Sequence, residues 1–233
     1  MAVYHMTYSP EMEEVCLYFD APCPLRCWGC ITDFRPLDCH LEEVGVPNPP
    51  LALDELLGIL EGIKIRRVLF LGKEPSVDPH LLALLDFFKA KKTHTVLITN
   101  GWEVIGGVDE VCLSIKALTP HLFKAYTGGS DPSRILENFK IYAKSRVKLR
   151  AESVLIPGLI DPEEISRIAH FISGVNPGIP YRIDAYIPHP GDIYRAPTHG
   201  ELRMAKRLAK RHLKKVSILH SSVKRLWNVE RIY

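Results

Sequence analysis

Three cysteines lie close together near the start of the chain, in a C-x3-C-x2-C pattern: Cys23, Cys27 and Cys30. Pro24 disfavours a helix over this stretch, so the thiols are expected on a loop that aims them at one small group. A cubane iron–sulfur cluster normally takes four cysteine ligands, and three would leave one iron open to another molecule. Two alternatives remain at this point: a zinc site completed by Cys39 or His40, and a four-cysteine cluster completed by Cys39.

This spacing resembles the signature of the radical S-adenosylmethionine (SAM) enzymes. The resemblance implies that the three cysteines hold a [4Fe–4S] cluster, whose open iron binds the amino and carboxylate groups of SAM. In that family the reduced cluster passes one electron to the sulfonium, and the resulting 5′-deoxyadenosyl radical abstracts hydrogen from a substrate. The protein then has to orient SAM and to exclude water and oxygen.

The length of 233 residues and an ordinary composition predict a single domain over 1–233. Within it we expect a cluster loop over 20–48 and a basic helix and tail over 200–233. The first residues lack the basic-then-apolar pattern of a signal peptide, and no apolar run reaches the ~20 residues of a membrane helix. Six cysteines without a disulfide pattern fit a reducing compartment. We therefore expect a cytoplasmic protein with no membrane partner.

Hydrophobic periodicity predicts strands that alternate with helices. The strands are expected at 15–19, 67–71, 95–99, 110–116, 147–156 and 181–187, with a possible last one at 216–219; the helices are expected at 54–62, 79–91, 132–144, 162–173 and 200–213. Such alternation favours parallel pairing with right-handed crossovers. Six units are too few for a closed eight-stranded barrel. With the resemblance, they predict an α/β fold: a partial (β/α)6 TIM-type barrel with parallel strands, and chemistry at the carboxyl ends of the strands.

The second predicted strand ends in a segment that resembles the Gly-Gly-Glu-Pro stretch of the family, which hydrogen-bonds the SAM amino group. The resemblance therefore assigns SAM contacts to Gly72, Lys73, Glu74 and Pro75. Lys73 departs from the family pattern, because it replaces the second glycine and adds bulk and a positive charge. A backbone carbonyl and the Glu74 carboxylate can still accept hydrogen bonds from an ammonium group.

The next two strands end in further candidate SAM contacts. Thr99 and Asn100 resemble the Thr-Asn-Gly segment that shapes the SAM pocket, although a plain Asn-Gly turn is the alternative. Ser114 and Lys116 share one face by strand alternation. With the later Tyr-Thr-Gly at 126–128, they resemble activating enzymes of the pyruvate formate-lyase type. A lysine inside a barrel needs a partner, which the SAM carboxylate would supply; an exposed strand-end lysine is the alternative.

Two later segments complete the resemblance. Related activating enzymes carry an arginine in the fifth strand, and alignment on the following Pro-Gly places Glu152 at that position, with Arg150 two residues earlier. An Arg150–Glu152 ion pair would satisfy both charges. His189, after the sixth strand, resembles a histidine that lies near the adenosyl group, although a structural role is the alternative.

The residue before the last cluster cysteine is aromatic in most of the family and packs on adenine. Gly29 takes that place here, as it does in some activating enzymes of anaerobic ribonucleotide reductase, and Trp28 precedes it. Residues 201–233 carry ten Lys or Arg against two Glu, so this tail has a net charge of +8 and the rest of the chain −5. A solvated outer helix explains the tail most simply, and a dock for an acidic protein or RNA is the alternative.

These observations favour a radical SAM enzyme of the activating type. The implied partners are a glycyl radical enzyme as protein substrate and an electron donor such as flavodoxin or ferredoxin. A stand-alone catalyst on a small molecule or nucleotide is the second interpretation. A zinc- or cluster-stabilised module that binds RNA or protein is the third, and it leaves the strand-end motifs unexplained; a nucleic-acid partner is therefore not favoured.

Overall fold

The structure is a computed structural model that describes residues 3–39, 41, 45–220, 223 and 226–233. Its strands are β1 (Val3–Ser9), β2 (Glu14–Phe19), β3 (Arg67–Gly72), β4 (His94–Thr99), β5 (Glu110–Ser114), β6 (Lys148–Leu155), β7 (Tyr181–Ala185), β8 (Val216–Leu219) and β9 (Glu230–Arg231). Its α-helices are α1 (Ile31–Phe34), α2 (Leu53–Glu61), α3 (Leu81–Ala90), α4 (Pro120–Thr127), α5 (Ser133–Lys144), α6 (Pro162–Val175) and α7 (His199–Ala209).

Among the described residues, the strands form one sheet in the order β8-β7-β6-β5-β4-β3-β2-β1-β9. The pairs from β2 to β8 are all parallel, whereas β1 runs antiparallel to both β2 and β9. The predicted α/β fold with a parallel, partial barrel is confirmed. β1 and β9 extend the sheet beyond the prediction, and β8 forms where the sequence suggested a last short strand.

One face of the sheet packs on helices and is apolar. Phe19 of β2 and Phe88 of α3 both contact Phe70 of β3, with ring centroids 6.3 and 5.9 Å apart. Val68 precedes Phe70 on the same face, and it is fully buried. This face supplies the hydrophobic burial that holds the strands in register.

The opposite face of β5, β6 and β7 is polar. In the register of these strands Ser114 lies beside Glu152, and Glu152 lies beside Arg182. Charged side chains inside a barrel are costly unless they are paired, so this face is where function is expected. The carboxyl ends of β2 to β7 bring the predicted motifs to one rim, with the exception of Arg150.

Several elements differ from the prediction. Helix α4 was not predicted, and it begins with Pro120 in its first turn, where proline is favoured. Helix α7 ends at Ala209 rather than Leu213, because the chain turns before β8. Its apolar side is buried as expected through Leu202, Ala205 and Ala209. No helix in the described part of the chain is long and apolar enough to cross a membrane.

Candidate functional site

The cluster loop runs from the end of β2 into α1 and is held from outside by α4. The backbone N–H of Arg26 donates to Thr127 O at 2.8 Å, and that of Trp28 donates to Tyr126 O at 2.7 Å. The last carbonyls of a helix have no partner within the helix, so the loop satisfies two of them. Gly128 ends α4 in the left-handed conformation, with φ 68°. The Tyr-Thr-Gly motif therefore acts as a support for the cysteine loop.

The three cysteines of the loop are partly buried, and the charge of each thiolate acts on the others. Burial raises the pKa of the Cys27 thiol to about 11, and it also raises that of Cys23. The Lys116 ammonium counteracts burial at both thiols. Asn100 Nδ2 donates to Cys23 Sγ at 3.3 Å, and Cys30 Sγ lies 3.1 Å from the Thr32 hydroxyl. The loop thus presents thiols to a common region that is lined by hydrogen-bond donors and a cation.

Three thiols on one loop are a donor set that an iron–sulfur cluster uses. Within the described ranges, no three His, Cys, Asp or Glu side chains converge closely enough to hold one ion. A cubane places each cysteine on a different iron, so its ligands stand farther apart than zinc ligands do. Cys39 is exposed, and His40 lies outside the described residues. The donor set of three thiols therefore fits a [4Fe–4S] cluster with one open iron.

The turn after β3 is organised by close backbone contact and by one buried carboxylate. A Cβ atom at Gly72 would lie 2.4 Å from Phe19 O, which only glycine permits. The Glu74 side chain is fully buried and accepts from Ser76 N (3.2 Å), Thr99 Oγ1 (2.6 Å) and Asn100 N (2.7 Å). Glu74 therefore ties the end of β3 to the end of β4, and burial raises its pKa. Pro75 begins the short 3-10 turn that follows.

Ser114 and Lys116 come together at the end of β5, as their spacing predicted. Lys116 Nζ donates to Ser114 Oγ at 2.8 Å. Burial alone would lower the pKa of Lys116, but the charges of Tyr126, Cys27 and Glu152 raise it above its usual range. The ammonium therefore stays charged on the side of the barrel that the cysteines occupy.

The expected pair between Arg150 and Glu152 is wrong. Arg150 lies toward the amino end of β6, where its Nε is 2.9 Å from Glu110 Oε1 in an orientation that makes no hydrogen bond. Arg150 and Glu110 line a pocket of about 480 Å³ together with Arg67, His94 and Lys148. This pocket lies at the ends of the strands opposite the cysteines. Arg150 is thus not brought to the predicted site. Glu152 instead pairs with Arg182 of the next strand, at 2.6 Å.

Sequence reasoning did not find the charges that complete the barrel interior. Arg182 also donates to both oxygens of Asp184, at 2.7 and 2.9 Å, and Cys112 Sγ donates to Glu152 Oε2 at 3.1 Å. Burial and the Glu152 charge raise the pKa of Asp184 to about 6. Alternation within β7 puts Arg182 and Asp184 on one face, so the sequence did contain a signal for them.

His189 lies over the cluster loop, in a group of aromatic rings. Its ring centroid is 6.3 Å from that of Trp28 and 5.6 Å from that of Phe34. Asp192 links this group, because it accepts hydrogen bonds from Trp28 Nε1 at 3.0 Å and from the Tyr186 hydroxyl. These bonds also hold the pKa of Asp192 well below its usual range, against the effect of burial. The structure thus joins the segment after β7 to the cysteine loop.

Lys73 points toward the flanks of the cluster loop. Its Nζ lies 2.8 Å from Asp20 Oδ1, and Asp20 directly follows β2. The side chain that departs from the Gly-Gly-Glu-Pro pattern therefore has an ionic partner in this chain.

Comparisons with known proteins agree with this geometry. A Methanocaldococcus jannaschii protein, named provisionally as a glycyl-radical enzyme activating enzyme, is 28% identical over 205 residues, 84% of this chain and 76% of that protein. A radical SAM methyltransferase of Sphaerobacter thermophilus has a similar fold, with TM-score 0.67 and 13% identity over 93% of this chain and 69% of its own. At this identity the likeness concerns the fold alone.

Streptococcus suis SuiB, solved with S-adenosylmethionine, superposes with TM-score 0.63 and 17% identity, over 86% of this chain and 48% of SuiB. SuiB has also been solved with its precursor peptide SuiA. The chain spans about half the length of SuiB.

Residues 22–172 match the family model described as the Radical SAM superfamily. This match covers more than half of the chain and includes the cysteine loop and the ends of β3 to β6. The chain therefore belongs to the radical SAM superfamily, whose members use a [4Fe–4S] cluster and SAM.

Proposed function

We propose that this chain is an activating enzyme, which abstracts a hydrogen atom from a glycine residue of a partner protein. One observation carries the proposal. The segment that resembles activating enzymes of the pyruvate formate-lyase type forms both the Ser114–Lys116 pair and the α4 end that supports the cysteine loop. The resemblance thus falls on residues that act together at the site. The M. jannaschii relative supports the same assignment.

In this proposal Cys23, Cys27 and Cys30 ligate the cluster. When bound, the reduced cluster and SAM supply the 5′-deoxyadenosyl radical that abstracts the hydrogen atom. Asn100 donates to Cys23 Sγ and stabilises negative charge on that ligand. Lys116 offsets the negative charge of the thiolates from the end of β5.

The remaining strand ends orient SAM. Lys116 and Ser114 bind its carboxylate, since a buried ammonium needs an anionic partner. The Glu74 carboxylate already has three donors, so the backbone carbonyls of the turn from Gly72 to Pro75 accept from the SAM amino group. Thr99 and Asn100 fix the shape of the adjoining wall, and His189 contacts the adenosyl part. Glu152, which lies beside Ser114 in the register of β5 and β6, faces the substrate.

The electron donor approaches the exposed side of the cysteine loop. Pro24, Arg26 and Trp28 alternate with the cysteines there and are exposed. The Arg26 guanidinium suits an acidic electron carrier such as flavodoxin or ferredoxin.

A second candidate function is catalysis on a small polar molecule or a nucleotide. The observation that favours it is the charged group of Glu152, Arg182 and Asp184 inside the barrel, where Arg182 is about one-third exposed. A free guanidinium edge beside two carboxylates suits a compact substrate that both donates and accepts hydrogen bonds. A peptide substrate would have to insert a loop into the barrel to reach the same charged side chains.

The first experiment is anaerobic reconstitution with iron and sulfide, followed by reduction with dithionite in the presence of SAM. We expect 5′-deoxyadenosine to form and Cys27→Ala to abolish it. Cys16→Ala is the matched control, because Cys16 lies in β2 rather than in the loop. Full product formation by Cys27→Ala would overturn the cluster assignment.

The second experiment separates the two candidate substrates. The reconstituted enzyme is mixed with a glycyl radical enzyme of the same genome, whose glycine carries deuterium. We expect a glycyl radical signal in electron paramagnetic resonance and one deuterium in the 5′-deoxyadenosine. Production of unlabelled 5′-deoxyadenosine without any glycyl radical would reject activation and favour a small substrate.

A further inference from the structure

Lys73 contacts both flanks of the cysteine loop. Its Nζ lies 2.8 Å from Asp20 Oδ1 and 3.9 Å from Asp33 Oδ1. Asp20 lies three residues before Cys23, and Asp33 lies three residues after Cys30, in α1. The Lys73 backbone N–H also donates to Phe19 O at 2.9 Å. One ammonium group therefore joins the two ends of the loop that surround the cluster ligands.

Stability alone is a poor reason for this contact. The Lys73, Asp20 and Asp33 side chains are 35, 51 and 63% exposed, and ion pairs at such exposure typically contribute under about 1 kcal/mol. The same three charges, however, flank the cysteine loop, because Asp20 and Asp33 each lie three residues from a predicted cluster ligand and Lys73 contacts both. The hydrogen bond to Asp20 raises the pKa of Lys73, and the charges of Asp33 and Cys30 add to this effect. A charged Lys73 ammonium is therefore held between the two flanks of the cysteine loop.

We propose that Lys73, balanced by Asp20 and Asp33, sets the reduction potential of the [4Fe–4S] cluster. Reduction adds one negative charge to the cluster, so a nearby cation favours the reduced state and a nearby anion disfavours it. The contact of Lys73 with Asp20 fixes the ammonium at one position rather than leaving it to solvent. Lys73 is thus a positioning residue that acts through charge. The inference holds for either substrate proposed above.

The test is a redox titration of the reconstituted enzyme, with the reduced cluster measured by electron paramagnetic resonance. Lys73→Met is expected to move the midpoint to more negative potential, and Asp20→Asn to more positive potential. We expect each to change the ratio of reduced to oxidised cluster at fixed potential by roughly 3- to 10-fold, where tenfold corresponds to about 59 mV for one electron. The double variant is expected near wild type.

The two single variants break the same ion pair but change the net charge in opposite directions. They therefore distinguish an effect of charge on the potential from an effect of a loosened loop. A purely structural role for the pair predicts shifts of the same sign, because both variants release the loop equally. Lys73→Arg keeps the charge and is expected to titrate like wild type. Lys64→Met is the matched control, because Lys64 forms an exposed 2.6 Å pair with Glu13 at the opposite end of β2. Shifts of equal sign for Lys73→Met and Asp20→Asn, or no shift for either, would overturn the proposal.

Discussion

A Cβ atom placed on Gly29 would lie 1.9 Å from the hydroxyl oxygen of Tyr186 and 2.7 Å from the adjoining ring carbon. Gly29 also has φ 58°, a backbone region that side chains disfavour. The tyrosine comes from the segment after β7 and is buried, and its hydroxyl is held by Asp192. The ring of Tyr186 thus occupies the space next to the last cluster cysteine, and this explains why a glycine stands where most of the family has an aromatic residue.

The first prediction concerns this close approach. Gly29→Ala is expected to lower the free energy of unfolding by roughly 2–4 kcal/mol, from overpacking and left-handed strain together, and to reduce cluster loading. Gly128→Ala is the matched control. Gly128 has φ 68°, but its added Cβ would meet only Arg26 Cβ at 3.7 Å. Because Gly128→Ala adds backbone strain without a clash, it is expected to lower the free energy of unfolding by about 1–2 kcal/mol, measured by chemical denaturation.

Adding Tyr186→Leu tests whether the tyrosine ring is the cause. In a double-mutant cycle, Gly29→Ala is expected to cost less in the Tyr186→Leu background than in the wild type. Strictly additive costs would show that the ring is not what excludes a side chain at position 29.

Most strands and helices were predictable because their patterns are local. Alternation in β2 and the 3.6-residue period of α3 and α7 indicate which face is buried, and three thiols at fixed spacing predict a ligand set. β1 was not predicted, because Tyr4, His5 and Met6 are all buried and the strand has no alternation to detect. Both faces of β1 are covered, which removes the signal that marks a half-exposed strand.

The ion pair between Glu152 and Arg182 was not predictable, because it depends on the register between two strands. Sequence spacing favoured a pair between Arg150 and Glu152, whereas parallel pairing of β6 with β7 puts Arg182 directly beside Glu152. Spacing along one strand carries no information about which residue of the neighbouring strand lies beside it. For the same reason the placing of Tyr186 against Gly29 cannot be read from the chain, since 157 positions separate them.

The second prediction concerns the hydrogen bond from Asn100 to Cys23. Asn100 Oδ1 accepts from Trp102 N at 2.9 Å, so its Nδ2 is directed to the thiol. Asn100→Asp keeps the acceptor and the turn but presents an oxygen to the sulfur. Hydrogen bonds to cluster sulfurs raise the reduction potential, so we expect a more negative midpoint and less iron retained after gel filtration.

Asn138→Asp is the matched control for that measurement. Asn138 Nδ2 donates to Gly101 O at 2.8 Å and to Trp102 O at 3.0 Å, so it holds the same loop from α5 without touching a cysteine. This variant is expected to lower stability by roughly 1–3 kcal/mol and to leave the midpoint unchanged. Equal midpoint shifts in both variants would assign the effect to the loop rather than to the bond.

The third prediction compares two buried glutamates, Glu164 and Glu74, whose pKa values are shifted in opposite directions. Glu164 accepts from Leu118 N, Thr119 N and Thr119 Oγ1 at 2.7–2.8 Å and from Arg167 at 3.0 Å. Burial alone would raise its pKa, but these donors lower it below 4.5. Its contribution to stability is therefore present above pH 4.5 and is lost as the pH falls through the lowered native value. We expect Glu164→Gln to cost roughly 1–3 kcal/mol at pH 7, and this cost to shrink below pH 4.5.

Glu74 has only neutral donors, and burial raises its pKa above 4.5. Protonation of Glu74 therefore favours the folded state. The free energy of unfolding of the wild type is expected to rise relative to that of Glu74→Gln as the pH falls from neutrality toward 4.5. Denaturant titrations of both variants and the wild type at several pH values between 3 and 7, with the cysteines kept reduced, measure the two slopes. Slopes of the same sign would contradict the assignment, because the donors around Glu164 outweigh the effect of burial on its pKa, whereas the donors around Glu74 do not.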